Sequence, residues 1–248
     1  MNSDIVEIFW TGGYDSTFRI CQLSRENVIV SPYYLSDKRK SEAYELGAIK
    51  KITDKIRQDK NTKAVLNDIN YIPMESRSSN SQVTEAFNSI LKKGFLGAQY
   101  EWLGIFALEH KGIELCIHKD DKAIEMIKKM GELMIDETNS RFVLNPDKSS
   151  RDLLYLFGNL SFPVANLTKL QMKNEYIRLG MEDIIEETWF CHNPIDGQPC
   201  GICNPCIYTI EEGMGYRFSE KAIKRYRKYS VFIKPYRRVK SHIKKLLI

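Results

Sequence analysis

The sequence predicts an α/β fold, a parallel β-sheet with helices on both faces, joined to a small metal-binding region near the carboxyl end. Three observations predict it. Apolar strand-like runs alternate with helical periodicity from residue 4 to about residue 118, a glycine turn joins the first strand to the first helix, and four of the six cysteines crowd between residues 191 and 206. The expected division is an α/β domain over 1–188, a cysteine knot over 189–215 and a basic tail over 216–248.

Asp4–Trp10 (DIVEIFW) is β-branched and aromatic and stops at Thr-Gly-Gly, as a strand entering a turn does. Tyr14–Arg25 follows with helical spacing. Asn27–Leu35 reads as a second strand, and Lys38–Lys60 as a second helix, with Ala43, Leu46, Ile49, Ile52 and Ile56 on one face. Asp68–Pro73 is a candidate third strand, Gln82–Lys92 and Gln99–His110 are helical, and Gly112–His118 (GIELCIH) is a fourth strand. Helical spacing then runs from Asp120 to about Met134, and the stretch up to a helix at Ser150–Phe157 has no single period. Lys169–Leu179 is helical, with Thr168 placed to cap it. Trp189–Cys206 changes to Cys, Pro, Gly and Asn, the composition of loops held by something other than a core. Beyond Phe218 the tail has helical character up to Pro235.

The junction IFWTGGYDSTF places Thr11, Gly12, Gly13, Asp15, Ser16 and Thr17 between the first strand and the first helix. Glycine lets a backbone approach an anion closely, and the free N–H groups of a helix start favour negative charge. Ser16 and Thr17 add hydroxyls. The Gly-Lys-Ser/Thr ending of a Walker A loop and the spacing of a dinucleotide fingerprint are both absent. The order of hydroxyl residue, Gly, Gly, any residue, Asp, Ser resembles the PP-loop of ATP-dependent adenylating enzymes. That resemblance implies a grip on the β and γ phosphates of ATP, with an acceptor attacking the α phosphorus and pyrophosphate leaving. It also implies a Rossmann-like, adenine nucleotide alpha hydrolase-like sheet, with Asp15 and Ser16 as the catalytic pair. Two roles stay open for Asp15, holding Mg²⁺ and capping the helix.

Cys191, Cys200, Cys203 and Cys206 are separated by eight, two and two residues. Four thiolates satisfy tetrahedral Zn²⁺, and tight Cys-x-x-Cys turns let the sulfurs converge on one ion. A full four-sulfur set leaves no open position, so such a zinc would be structural. An iron–sulfur cluster is the chemical alternative, and His192 is a neighbour that could replace one cysteine.

Together, the glycine loop and FCHNPIDGQPCGICNPC resemble the 7-cyano-7-deazaguanine synthases, and SFPVANLTKLQMKNEYIRLG resembles the element that precedes the cysteines in that family. The resemblance covers about residues 4 to 215. It implies a carbon–nitrogen ligase that converts a 7-carboxy-7-deazaguanine to a nitrile with ammonia and ATP, as in queuosine biosynthesis, adenylating first the acid and then the amide. The middle of the chain departs from it. Gly97-Ala98-Gln99-Tyr100 stands where the family has Gly-Arg-Asn, and after GIELCIH the chain continues directly as Lys119-Asp120-Asp121, without the family's Tyr-Pro-Asp-Cys-Arg loop. Gln99, Lys119 and Asp120 are therefore candidates for an altered substrate pocket, and Lys38, Arg39 and Lys40 for phosphate contacts.

Composition bounds these readings. The apolar share of 43% and charged share of 28% are those of a globular protein, and runs such as Asp152–Leu160 are far shorter than the ~20 residues of a membrane span. With no signal-peptide pattern at the start, a cytoplasmic location is expected. The net charge of +5 divides unevenly. From Arg217 to Ile248 twelve of the 37 bases face one of the 32 acids, so that tail carries +11 and the rest −6. Tyr226, Tyr229, Phe232 and Tyr236 interleave with these bases, a pattern that suits RNA, an anionic membrane surface or an acidic protein partner, or a solvated helix packed on its own domain. A homodimer is a further expectation. Two other function classes follow from the same residues: a PP-loop enzyme that modifies tRNA or, as in defence systems, a protein, and a nucleotide-binding module without catalysis.

Overall fold

The computed structural model describes residues 4–137 and 141–233. Their strands and helices run β1 (Ile5–Phe9), α1 (Tyr14–Leu23), β2 (Ile29–Leu35), α2 (Glu42–Gln58), β3 (Val65–Leu66), β4 (Asn70–Ile72), α3 (Ser81–Leu91), α4 (Gln99–Phe106), β5 (Ile113–Glu114), α5 (Lys122–Met130), β6 (Leu133–Asp136), β7 (Arg141–Leu144), α6 (Arg151–Phe157), β8 (Leu160–Ser161), α7 (Lys169–Leu179), α8 (Glu182–Glu187), α9 (Asn204–Thr209) and α10 (Glu220–Lys228). Two compact units emerge. Residues up to 38 together with 46–188 make the first, and residues 39–45 together with those from 189 onward make the second.

The first unit is α/β, with a parallel central sheet flanked by helices. Its strand order is β3-β2-β1-β5-β8, and β4 also pairs with β2. β3 meets the first half of β2, where Ile29 pairs with Val65, and β4 meets the second half, where Leu35 pairs with Ile72. The two short strands thus act as one interrupted edge. The cause is visible at Pro32, in the middle of β2. Its neighbour Tyr33 accepts from Trp10 N on the β1 side, so Pro32, one residue out of phase, turns its backbone to the other side. There proline has no N–H to give, and the Asn70 side chain donates to its carbonyl at 3.1 Å instead.

The expected third strand at Asp68–Pro73 is thus only part of that edge, and Val65–Leu66 joins it. The fourth strand is paired over Ile113–Glu114 rather than all of Gly112–His118. A larger correction concerns Asp120–Met134. The helix α5 stops at Met130, Gly131 is extended, and Leu133–Asp136 pairs antiparallel with Arg141–Leu144 as a separate hairpin. A Cβ on Gly131 would lie 2.4 Å from the Ser149 hydroxyl, so the backbone passes too close for any other residue at that exit.

A core of Phe87, Ile90, Tyr100, Phe157, Leu160 and Phe162 fills the space between α3, α4, α6 and the β5–β8 side of the sheet. Burying each such side chain contributes about 1.5–3 kcal/mol. One carboxylate lies inside this framework. Glu114 is fully buried, accepts from Arg19 Nε and Nη2 at 2.9 Å each, and lies 3.0 Å from Arg141 Nε. The ion cluster ties α1 and β7 to the centre of the sheet. α7 braces α1 as well. Its Tyr176 is fully buried, meets Phe18 edge-on at 5.2 Å, and donates its hydroxyl to the Tyr14 carbonyl. Thr168 caps α7 as part of a reciprocal pair with Gln171.

In the second unit α10 covers Glu220–Lys228, and a wider turn continues to Ile233. Pro235, Tyr236 and the remaining bases of the expected tail lie outside the described residues. Among the described residues no helix is long and apolar enough to cross a membrane.

Candidate functional site

Strand order locates the first site. The chain moves from β1 outward through β2 to β3 and β4, then returns to place β5 on the other side of β1. In open α/β sheets ligands bind at the carboxyl ends of the strands where the order reverses. Here that point lies between the ends of β1 and β5.

The residues after β1 are Trp10 to Gly13. Trp10 is fully buried and donates its indole N–H to Thr17 Oγ1 at 3.0 Å, which anchors the start of the loop to α1. Gly12 has φ 68°, a left-handed conformation that favours glycine. Gly13 occupies the N-cap position of α1 and offers no side-chain cap, so the first N–H groups of α1 have no side-chain acceptor. Asp15 does not cap the helix. Its Oδ2 lies 2.9 Å from His118 Nδ1, across the reversal point, at the end of the segment that continues β5. Its other oxygen, Oδ1, is buried and has no hydrogen-bond partner. Leaving a buried carboxylate oxygen unpaired costs roughly 1–3 kcal/mol or more, which marks a place where a cation or donor would be stabilised.

His118 was not among the residues singled out in the sequence. The signal was available, since it closes GIELCIH at the same strand end as Lys119 and Asp120. Burial opposes its protonation, yet the hydrogen bond and charge of Asp15 hold its pKa above the ordinary 6.5, with Lys169 opposing. Ser16 is 9% exposed and Thr17 fully buried, so the Thr17 hydroxyl props the loop against Trp10. Tyr100 lies close enough to sense both Asp121 and Asp15, and burial first, then the Asp121 charge, push its phenol pKa up.

The remaining candidates separate. Gln99 opens α4 and is exposed. Lys119 donates its backbone N–H to the Leu167 carbonyl, Asp120 is exposed, and Asp121 caps α5 through Ala123 N at 2.7 Å. Lys38 pairs with Glu75 at the surface of the first unit. Arg39 belongs to the second unit, where its Nε is 3.6 Å from Glu45. Lys40 lies in that unit too.

The second site is the cysteine cluster. The sulfurs of Cys191, Cys200, Cys203 and Cys206 all lie within 4.8 Å of one another. Cys200 and Cys206 are 3.8 Å apart at sulfur, far beyond a disulfide and equal to the ~3.8 Å that two thiolates at ~2.3 Å from a tetrahedral ion would show. Backbone N–H groups of Ile202 and Cys203 point at Cys200 Sγ at 3.4 and 3.3 Å, and Cys200 N at Cys191 Sγ at 3.2 Å. Such donors stabilise thiolates.

Charge decides what the cluster requires. The hydrogen bonds from Cys191 and then Cys206 lower the Cys203 pKa, while Cys191 and Cys206 are raised, first by their hydrogen bonds to Cys203 and Cys191 respectively. A divalent metal such as zinc would supply positive charge that stabilises thiolates at this cluster. His192 is exposed beside this set and is not one of the four clustered ligands.

Local sequence explains the knot. Asp196 and Gly197 both have positive φ, 50° and 75°, and join Ile195 to Gln198 in a two-residue hairpin turn. Gly201 has φ 81°, and a Cβ there would lie 2.4 Å from the Ala222 carbonyl oxygen of α10. Arg225 of α10 donates to the Cys200 carbonyl at 2.8 Å. Tyr44 stacks on Trp189 at 4.7 Å, and the Trp189 indole donates to the Cys191 carbonyl. No protein-family model matches the chain, and no curated protein matches it. The functional reading therefore rests on these residues.

Proposed function

We propose that this protein is an ATP-dependent carbon–nitrogen ligase of the PP-loop type, built on a Rossmann-like sheet, which activates a carboxylate as its adenylate and transfers it to ammonia. The observation that carries the reading is the loop at the sheet's reversal point. Gly12 and Gly13 lead into a helix start without a side-chain cap, and the buried Oδ1 of Asp15, two residues on, has no hydrogen-bond partner. Backbone N–H groups suit the terminal phosphates of ATP. Mg²⁺, when bound, would neutralise those phosphates, and Asp15 Oδ1 is the oxygen placed to hold it.

A carboxylate resists attack because it is anionic and its oxygen leaves poorly. Its oxygen attacks the α phosphorus of ATP, pyrophosphate departs, and the acyl adenylate then has AMP as a good leaving group. Ammonia displaces AMP to give the amide and a proton. Resemblance to the 7-cyano-7-deazaguanine synthases extends this to a second adenylation, in which the amide oxygen leaves with AMP and a nitrile results. The chain departs from that family at Gln99, Lys119 and Asp120, so the assay surveys acids. Purified protein is incubated with ATP, Mg²⁺, ammonium and either 7-carboxy-7-deazaguanine or a panel of planar aromatic acids. Acid-dependent release of AMP and pyrophosphate is expected, lost by more than a hundredfold in Asp15→Ala. AMP formation that no acid stimulates overturns the reading.

The basic α10 favours a second reading, in which the acyl group or the activated acceptor belongs to a macromolecule such as tRNA. Pyrophosphate release that requires RNA rather than a small acid would select it. A module without catalysis would bind ATP and release neither product.

A further inference from the structure

The second unit carries two features that the metal does not explain. One is a cavity of about 510 Å³ beside the cysteines, lined by Lys40, His192, Asn193, Ile195, Ile202 and Asn204 among others. The size falls within the range of small-ligand sites. No carboxylate lines it. Its two carboxamides each offer a donor and an acceptor, as the edge of a nucleobase does, while Ile195 and Ile202, 37% and 39% exposed, add apolar lining.

The other feature is a basic stripe on α10. Lys221, Lys224 and Lys228 are exposed and, at spacings of three and four, share one face with Arg225. None of the three lysines has an ion-pair partner among the described residues. The stripe and the cavity meet at the same knuckle. Arg225 holds the Cys200 carbonyl, Gly201 lies against Ala222, and Cys200, Ile202 and Cys203 line the cavity.

We propose that the metal-stapled unit binds single-stranded nucleic acid, with one unstacked base in the Asn193–Asn204 cavity and neighbouring phosphates along the α10 lysines. The chemistry favours this over a membrane surface. An interfacial helix needs a free apolar face, whereas Ala222 and Ile223 of α10 pack into the apolar cluster around the cysteines. A single strand also suits a cavity with volume for one unstacked base, because a duplex keeps its bases stacked.

The test uses the full chain loaded with zinc and fluorescent oligonucleotides of about 12 nucleotides, as RNA or DNA, single-stranded or annealed. Single strands of either sugar are expected to bind in preference to the duplexes. The variant Lys221→Glu, Lys224→Glu, Lys228→Glu should weaken binding at least tenfold and flatten the slope of log affinity against log salt by about 2, since each lost phosphate contact removes ~0.7. Asn193→Ala with Asn204→Ala should weaken it about tenfold while leaving the salt slope unchanged. Zinc content equal to wild type shows that each variant retains the knot. The proposal is overturned if duplex and single strand bind equally, if neither variant weakens binding, or if phosphatidylserine–phosphatidylcholine vesicles bind the chain and the oligonucleotides do not.

Discussion

At the residue scale the first site depends on the Asp15–His118 pair. The carboxylate is held at one oxygen by His118, and its other, buried oxygen has no hydrogen-bond partner. Linkage gives a testable sign. Because the folded pKa of His118 is raised, the pair's contribution is fully present below about pH 6.5 and is lost as pH rises through the folded pKa. Urea-unfolding free energies measured from pH 5 to about pH 9 should therefore show a decline in wild type that is absent in His118→Gln. An identical pH profile in both proteins would remove the pair from the account. His118 also shows what sequence reading misses. Its place at a strand end was legible, but its partner lies 103 positions away, and only the reversal of strand order brings the two together. Thr17 shows the same limit. Its hydroxyl is a phosphate-donor candidate in sequence, and the structure adds that its oxygen accepts from the buried Trp10 indole.

At the scale of elements, local chemistry governs what could be read. Thr168 and Gln171 stand at the spacing of a capping box, and the helix they begin is legible for that reason. The cysteine spacing is equally local. The hairpin after α5 is not, because Leu133, Met134 and Ile135 continue an apolar pattern that suits either period, and Gly131 alone marks the break. In the second unit the knuckle meets α10 through Gly201 and the Arg225–Cys200 hydrogen bond. Gly201→Ala introduces a Cβ against the Ala222 carbonyl in a left-handed backbone. It should lower the thermal midpoint of the second unit by several degrees, as expected for a loss of about 1–2 kcal/mol from the backbone alone, and reduce bound zinc below one equivalent. Scanning calorimetry and metal analysis check both. Full zinc with an unchanged midpoint would mean that α10 does not support the knot.

For the whole molecule, the sequence divides by charge and the structure divides by contact. The α/β unit carries the glycine loop, and the second unit gathers the cysteines, α10 and the short segment 39–45. That segment was not legible as part of the second unit, since it sits in the chain between β2 and the bulk of α2; its Lys40, a candidate phosphate contact in the sequence, lines the cavity at the cysteines. The proposed nucleotide loop thus belongs to the α/β unit, and the four-cysteine cluster with the basic α10 belongs to the second.

The most direct measurement is calorimetric titration of ATP with Mg²⁺ into the purified chain and into Asp15→Ala and Gly12→Ala. One site per chain is expected in wild type, and affinity reduced at least tenfold in both variants with their folds retained by circular dichroism. Absence of binding heat in wild type over a range of temperatures, or equal affinity in all three proteins, would contradict it.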